Sequence, residues 1–351
     1  MRFGAMRFGR FLLLVALAMV VVGAAGWRLG TREAMLRLAE GGRADLVLAA
    51  DRLAGALARY RDLPGVLAAH PVITEGPAAN GFLKEMAAET GALDIYVMDA
   101  GATVVAASNH DLPRSFMGRN YLWRPYFAQA AATGRGFYHA VGIRSDQRGF
   151  YFTARAAGGE VIAVKVDVGA LEAPWREDAG AIFFSDGNGV VFLANRADMV
   201  LGRLGDLPDL ADAQQYYDRE LPALPLDDVR AAHGLRLLRS SGLEGVPAEA
   251  IWLTGPVEVP GFLAHVLVDS APALRQGAVW GLLGAALAGL LGLVLAVLLQ
   301  RRAALAERLA VEAAATARLE GEVARRTAEL SDTNAALRGE VAERQAAEEA
   351  L

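Results

Sequence analysis

The sequence contains no cysteine. That excludes disulfides, thiolate nucleophiles and cysteine-ligated metal or redox centres, and it leaves the compartment open. Lysine is almost missing as well: of 35 basic residues only Lys84 and Lys165 are lysines, the rest being arginine. The five histidines, His70, His110, His139, His233 and His265, all precede the second long apolar run, and none is followed by glutamate. There is no Gly-x-Ser-x-Gly elbow, no His pair at metal spacing and no Ser/His/Asp set, so no enzyme chemistry is read in these residues. Asn109–His110–Asp111 could be a lone ligand site but reads more simply as a solvated loop. A formal charge of −5 without a basic stripe speaks against nucleic acid as a partner. Nothing in the sequence calls for a cofactor.

What is abundant is apolar surface: 54% of the residues are hydrophobic. Residues 11–27 carry no charge until Arg28, and residues 277–299 form an uncharged run rich in Leu, Ala and Gly. The second is long enough to cross a bilayer as a helix. The first is shorter; Val22–Gly23–Ala24 offers a signal-cleavage alternative, but Trp27 and Arg28 look like the interfacial edge of a retained anchor. Arg2, Arg7 and Arg10 precede the first run, and Arg301, Arg302 and Arg308 follow the second. The positive-inside rule then places both termini in the cytoplasm and residues 28–276 outside the inner membrane.

The chain divides on this reading into a cytoplasmic start (1–10), a first membrane helix (11–27), a long helix (28–64), two modules (65–170 and 171–276), a second membrane helix (277–299) and a cytoplasmic helix (300–351). The long helix follows from recurring leucines with no proline before Pro64. Gly41–Gly42 in its middle reads as a local weakness. Two hairpin patterns argue for tandem modules: residues 93–108 turn at Asp99–Ala100–Gly101, and residues 181–195 turn at Asp186–Gly187–Asn188–Gly189. Three further strands are expected at Gly136–Ile143, Gly149–Ala156 and Val161–Val168, completing a five-stranded antiparallel sheet. Later strands are expected near Leu235–Arg239, Ile251–Val259 and Phe262–Val268, after a loop-rich acidic stretch at 201–229. Beyond the second apolar run, Leu309, Thr316, Val323, Leu330 and Leu337 fall seven apart, which predicts a parallel coiled coil and a homodimer.

The densest functional signal is Arg119–Asn120–Tyr121–Leu122–Trp123–Arg124–Pro125–Tyr126–Phe127. It is followed by Phe137–Tyr138–His139–Ala140–Val141–Gly142–Ile143–Arg144–Ser145, by Arg148–Gly149–Phe150–Tyr151–Phe152, and by a strand interrupted by Lys165. Arginine forks bind carboxylates with paired hydrogen bonds, and Tyr and Ser hydroxyls orient them, so the set reads as a pocket for a small carboxylate. Pro125 fits the first turn of a helix, with Arg124 just before it. By the period of two, Lys165 shares a face with Ala163 and Asp167; periodicity alone leaves open whether that face meets solvent or a pocket.

These runs resemble the sensor histidine kinases that regulate C4-dicarboxylate transport, over roughly residues 28–275 and most strongly over 118–168. The resemblance implies an α+β fold of two tandem PAS-like (double Cache) modules on a long N-terminal helix. It implies a C4-dicarboxylate held by Asn120, Tyr121, Arg124, Tyr126, Arg144, Ser145, Arg148 and Lys165. His139 departs from the family pattern and receives no role, and the second module is expected to transmit rather than bind. It also implies a cognate response regulator, reached through a kinase part whose phosphoacceptor and ATP-binding domains this sequence lacks. The helical pattern still running at residues 347–351 points to a longer protein, with a kinase-lacking sensor as the other reading. A double-Cache sensor for another carboxylate or an amino acid, coupled to a chemoreceptor or cyclase output, is the competing function.

Overall fold

The computed structural model describes residues 2–142, 146–176, 180–206 and 209–349. It divides into two compact units. One combines residues up to Arg28 with those from Val279 on, and the other is Leu29–Ala278.

In the first unit, the opening of helix α1 (Arg2–Arg61) packs on the last helix of the chain, α7 (Ala271–Glu349). Both helices are long and apolar enough to cross a membrane. Small residues line their contact: a Cβ on Gly26 would stand 2.7 Å from the Trp280 carbonyl oxygen, and one on Gly281 3.1 Å from that of Gly23. Such close backbone approach is how helices associate where no hydrophobic force separates them from lipid.

The second unit begins with residues 29–61 of α1, whose Leu46, Leu53, Leu57 and Tyr60 are buried against both modules' shared core. Helices α2 (Leu63–Ala68) and α3 (Asn80–Thr90) follow, joined by a 3-10 segment. The membrane-distal module then supplies β1 (Asp94–Met98), β2 (Val104–Ala107), α4 (Pro125–Thr133), β3 (Arg135–Val141), β4 (Arg148–Arg155) and β5 (Val161–Asp167). Its antiparallel sheet has the order β2-β1-β5-β4-β3. Short α5 (Val168–Glu172) leads to the second module, with β6 (Ala181–Ser185), β7 (Val191–Ala194), α6 (Leu210–Tyr217), β8 (Leu226–Ala232), β9 (Leu235–Ser240), β10 (Glu249–Pro256) and β11 (Leu263–Asp269). That sheet runs β7-β6-β11-β10-β9-β8.

The repeated hairpin is present in both modules, down to its irregularity. A register shift occurs between Val97 and Met98 in the first and between Phe184 and Ser185 in the second. In each turn the opening aspartate folds back on the backbone. Asp99 Oδ1 accepts from the Gly101 and Thr103 N–H groups, and Asp186 Oδ1 from those of Asn188 and Val190.

The stretch 201–229 departs from its loop-rich expectation. Asp209 caps α6 by accepting from the Asp212 N–H, and the helix buries Ala213 and Tyr217. The charged run Leu226–Ala232 forms an edge strand, where polar alternation is the usual protection against sheet-to-sheet pairing. Its Asp228 pairs with Arg236 of β9 through two bonds of 2.8 Å.

The two glycines in α1 differ in kind. Gly41 has no neighbour where a Cβ would stand, whereas a Cβ on Gly42 would meet Val268 Cγ2 at 2.4 Å and Leu253 Cδ1 at 2.8 Å. Gly42 is therefore where the helix presses onto the second sheet. Gly41→Ala is expected to stabilise the protein by about 1 kcal/mol through helix propensity. Gly42→Ala is expected to destabilise it by about 1–3 kcal/mol through overpacking. Chemical denaturation of the two variants side by side checks the pair.

The modules are joined by polar groups as well as by the shared core. Arg148 donates from both terminal nitrogens to Glu172, at 2.6 and 2.9 Å, and also to the Phe192 carbonyl. Glu172 accepts in addition from the Ala194 N–H. Nearby, Tyr216 donates to the His139 carbonyl at 2.6 Å, and the His139 ring meets Phe262 and Phe192 edge-on. His139 Nε2 lies 3.6 Å from Asp186 Oδ2, beyond hydrogen-bond length but close electrostatically. Burial would raise the Asp186 pKa; the neighbouring His139 and the bonds from Val190 N–H and Tyr217 outweigh it and hold the group below the usual carboxylate range.

Candidate ligand pocket

The face of the distal sheet that carries Ala163 and Lys165 is covered by α4 and by the loop between β2 and α4. Ala163 packs there with Tyr96, Phe116, Tyr126 and Tyr151. The opposite face sends Ile162, Val164, Val166 and Val168 into the main core. Lys165, 1% exposed, thus stands on a buried face.

A cavity of about 230 Å³ opens on this face. Three cations line it: Arg124 and Lys165 are buried, and Arg119 is exposed. Arg124 occupies the N-cap position of α4 in extended conformation with Pro125 next, as the sequence suggested. Its guanidinium stacks 4.2 Å from the centroid of the Trp123 ring. Lys165 lies directly across the strand pair from Tyr151 on one side and from Asp94 on the other. Its ammonium is 5.8 Å from the Tyr151 ring. Gly149 makes room for the lysine stem: a Cβ there would stand 2.8 Å from Lys165 Cε.

Phenols form the remainder of the wall. The Tyr96 and Tyr126 hydroxyls are hydrogen-bonded at 2.9 Å, and Tyr126 stacks on Tyr151 with the rings 4° from parallel. Burial pushes the pKa of all three phenols up, so they remain neutral hydroxyls near pH 7. Burial also lowers the Lys165 pKa, opposed first by the charge of Asp94. Buried Asp94 is raised by its own desolvation, opposed by Lys165, by Arg114 and by a 2.9 Å bond from Asn109.

Of the eight residues expected at the site, Asn120, Tyr121, Arg124, Tyr126 and Lys165 line the cavity. The Asn120 amide is committed to the Gly101 carbonyl and the Thr103 hydroxyl, so it ties the pocket's rim to the β1–β2 turn. Arg148 does not line the cavity; it is the inter-module partner of Glu172. Arg144 and Ser145 lie outside the described residues. Tyr96, Phe116, Arg119, Gly142 and Tyr151 also line the cavity and are not among the eight. Tyr96 and Tyr151 were hidden because only strand pairing reveals which residues flank Lys165 and Ala163. Among the described residues no group of three or more His, Asp or Glu is placed to hold a metal ion.

The second module has no such charge pair. Counting from the shared hairpin, Ala181 and Leu267 stand where the first module has Asp94 and Lys165, and Phe183 stands for Tyr96. His265, at the position of Ala163, fills the space. It accepts from Trp252 at 3.1 Å, is bonded to Ser185 at 2.8 Å and stacks on Phe183. Burial brings its pKa down to about 4, so it is a neutral core side chain.

No family model matches the chain. Among curated proteins it is 32% identical over 176 residues to the C4-dicarboxylate transport sensor protein DctB of Pseudomonas aeruginosa, covering 46% of this chain and 29% of that protein. It is 30% identical over 243 residues to the protein of the same name from Rhizobium meliloti, covering 63% of this chain and 39% of the relative. The chain thus spans well under half the length of either. Among solved structures, the sensor domain of the histidine kinase DctB from V. cholerae superposes with a TM-score of 0.59 at 26% identity, over 67% of this chain and 97% of that domain. In sequence and in fold, the chain resembles the sensor part of the C4-dicarboxylate transport sensor proteins, two tandem PAS-like modules of the double-Cache kind on a long N-terminal helix.

Proposed function

We propose that this chain is the sensing part of a two-component receptor of the inner membrane, and that its distal module binds a C4-dicarboxylate outside that membrane. The observation that carries the reading is the pair of buried cations, Arg124 and Lys165, facing one cavity walled by neutral phenols. Two carboxylates joined by a short carbon chain match two fixed cations. Arg124 would take one carboxylate as a fork and Lys165 the other as a point charge, with hydroxyls of Tyr121 and Tyr126 completing the shell. Ser145, as a further hydrogen-bonding hydroxyl, and Arg144, as the residue that closes the site, belong to the same proposal. The relatives' names support the ligand class. Binding would act by favouring one of two arrangements of a homodimer. Exposure of Leu36, Val47 and Leu48 on α1 supports such a second copy. Output would pass to a response regulator through a kinase part.

The test is a thermal-shift panel on the purified full chain in detergent. A ligand that binds only the folded protein raises its melting temperature by mass action. Succinate, fumarate or malate is expected to do so, with amino acids and monocarboxylates inert. Stabilisation by amino acids alone would discard the ligand class and keep the fold.

A further inference from the structure

Lys165 sits where an ammonium is hard to keep charged: it is buried on the sheet face, with the Tyr151 ring beside it. Only its surroundings can compensate. The charged groups acting on it include Asp94 on β1, Asp167 on its own strand, Arg114 on the loop after β2, and Arg124 before α4. The Tyr151 ring on β4 flanks it, with Tyr96 and Tyr126 also facing the cavity. Arg114 and Arg124 repel the ammonium. The phenols are neutral near pH 7. Asp167 is engaged in capping α5, where its Oδ1 accepts from Gly169. Asp94 is the larger of these two attractions, ahead of Asp167. It lies opposite Lys165 in the β1–β5 register, is itself buried, and is held by the Asn109 amide.

We infer that Asp94 is a positioning residue of the pocket: its carboxylate, fixed across the strand pair, keeps Lys165 charged so that an incoming acid meets an ammonium and not an amine. Asp94 acts on Lys165 through space and touches no ligand. The role in ligand capture rests on the carboxylate reading above. The charge on Lys165 can be tested without it.

The scarcity of lysine makes the test direct. With lysine labelled at its ε-carbon, the full chain gives signals from Lys84 and Lys165 only, and Lys84→Arg assigns them. Asp94→Asn keeps an oxygen for Asn109 and removes the charge. At an alkaline pH within the Lys165 titration, Asp94→Asn is expected to cut its protonated fraction about tenfold. Unit charges facing each other across a buried strand pair interact by on the order of one pK unit. Correspondingly, the ratio of succinate dissociation constants, variant over wild type, should rise with pH. An unchanged Lys165 titration in a folded Asp94→Asn protein overturns the inference, and so does an affinity ratio that is flat with pH, the signature of a merely structural role. If the titration moves as expected but succinate, fumarate and malate all fail to bind the wild type, the ligand reading falls while the assignment of Asp94 stands.

Discussion

Arg148→Ala or Glu172→Ala lowers the stability of the chain by about 3–5 kcal/mol in chemical denaturation, the scale for removing one member of a buried ion pair. The glutamate side chain is 5% exposed and the arginine 17%, so neither finds water when its partner is lost. The loss extends beyond the pair. Glu172 also holds the Ala194 N–H and Arg148 the Phe192 carbonyl, so each single change removes one further anchor of β7. The double variant Arg148→Met/Glu172→Leu should be far less damaging than the sum of the single changes. Two apolar side chains of similar length often replace a buried pair at little cost. Equal losses in single and double variants would mean that the backbone anchors, not the charges, hold the joint.

On the proposed carboxylate reading, Lys165→Ala is expected to weaken binding of a C4-dicarboxylate by about 2–5 kcal/mol, the range for truncating one partner of a buried, hydrogen-bonded charge pair. That is about 30-fold to several thousand-fold in the dissociation constant. Isothermal titration of the wild type and variant with succinate reads it. Arg119 provides the internal comparison. It also lines the cavity but stands exposed at its rim. There, loss of a charge chiefly slows association, so Arg119→Ala should change affinity far less. Unchanged affinity in Lys165→Ala would remove the lysine from the site.

Much of this architecture was legible because it is written locally. The paired hairpins are marked by Asp and Gly at fixed offsets, the start of α4 by Pro125, and the two faces of β5 by strict alternation around Lys165. Features that depend on pairing across the chain were not legible. Arg148 stands in the same run as the pocket residues, yet as the first residue of β4 it meets Glu172 from a different segment. Tyr96 and Tyr151 become pocket walls only through the β1–β5–β4 register. Gly42 looked like a defect in a helix, and its reason lies in Val268 and Leu253, far along the chain. The helix α6 was concealed by its acidic composition, since its apolar face is only as wide as Leu210, Ala213 and Tyr217.

The repeated turn uses its two aspartates differently. In both modules one aspartate oxygen closes the turn, and that half of the side chain has the same task. The other oxygen differs: Asp186 Oδ2 accepts from Tyr217 and faces His139 across the module boundary, while no described residue bonds Oδ2 of Asp99. One turn design thus serves in both modules through the same atom, while the atom beside it is left over in the first and ties the turn to its surroundings in the second.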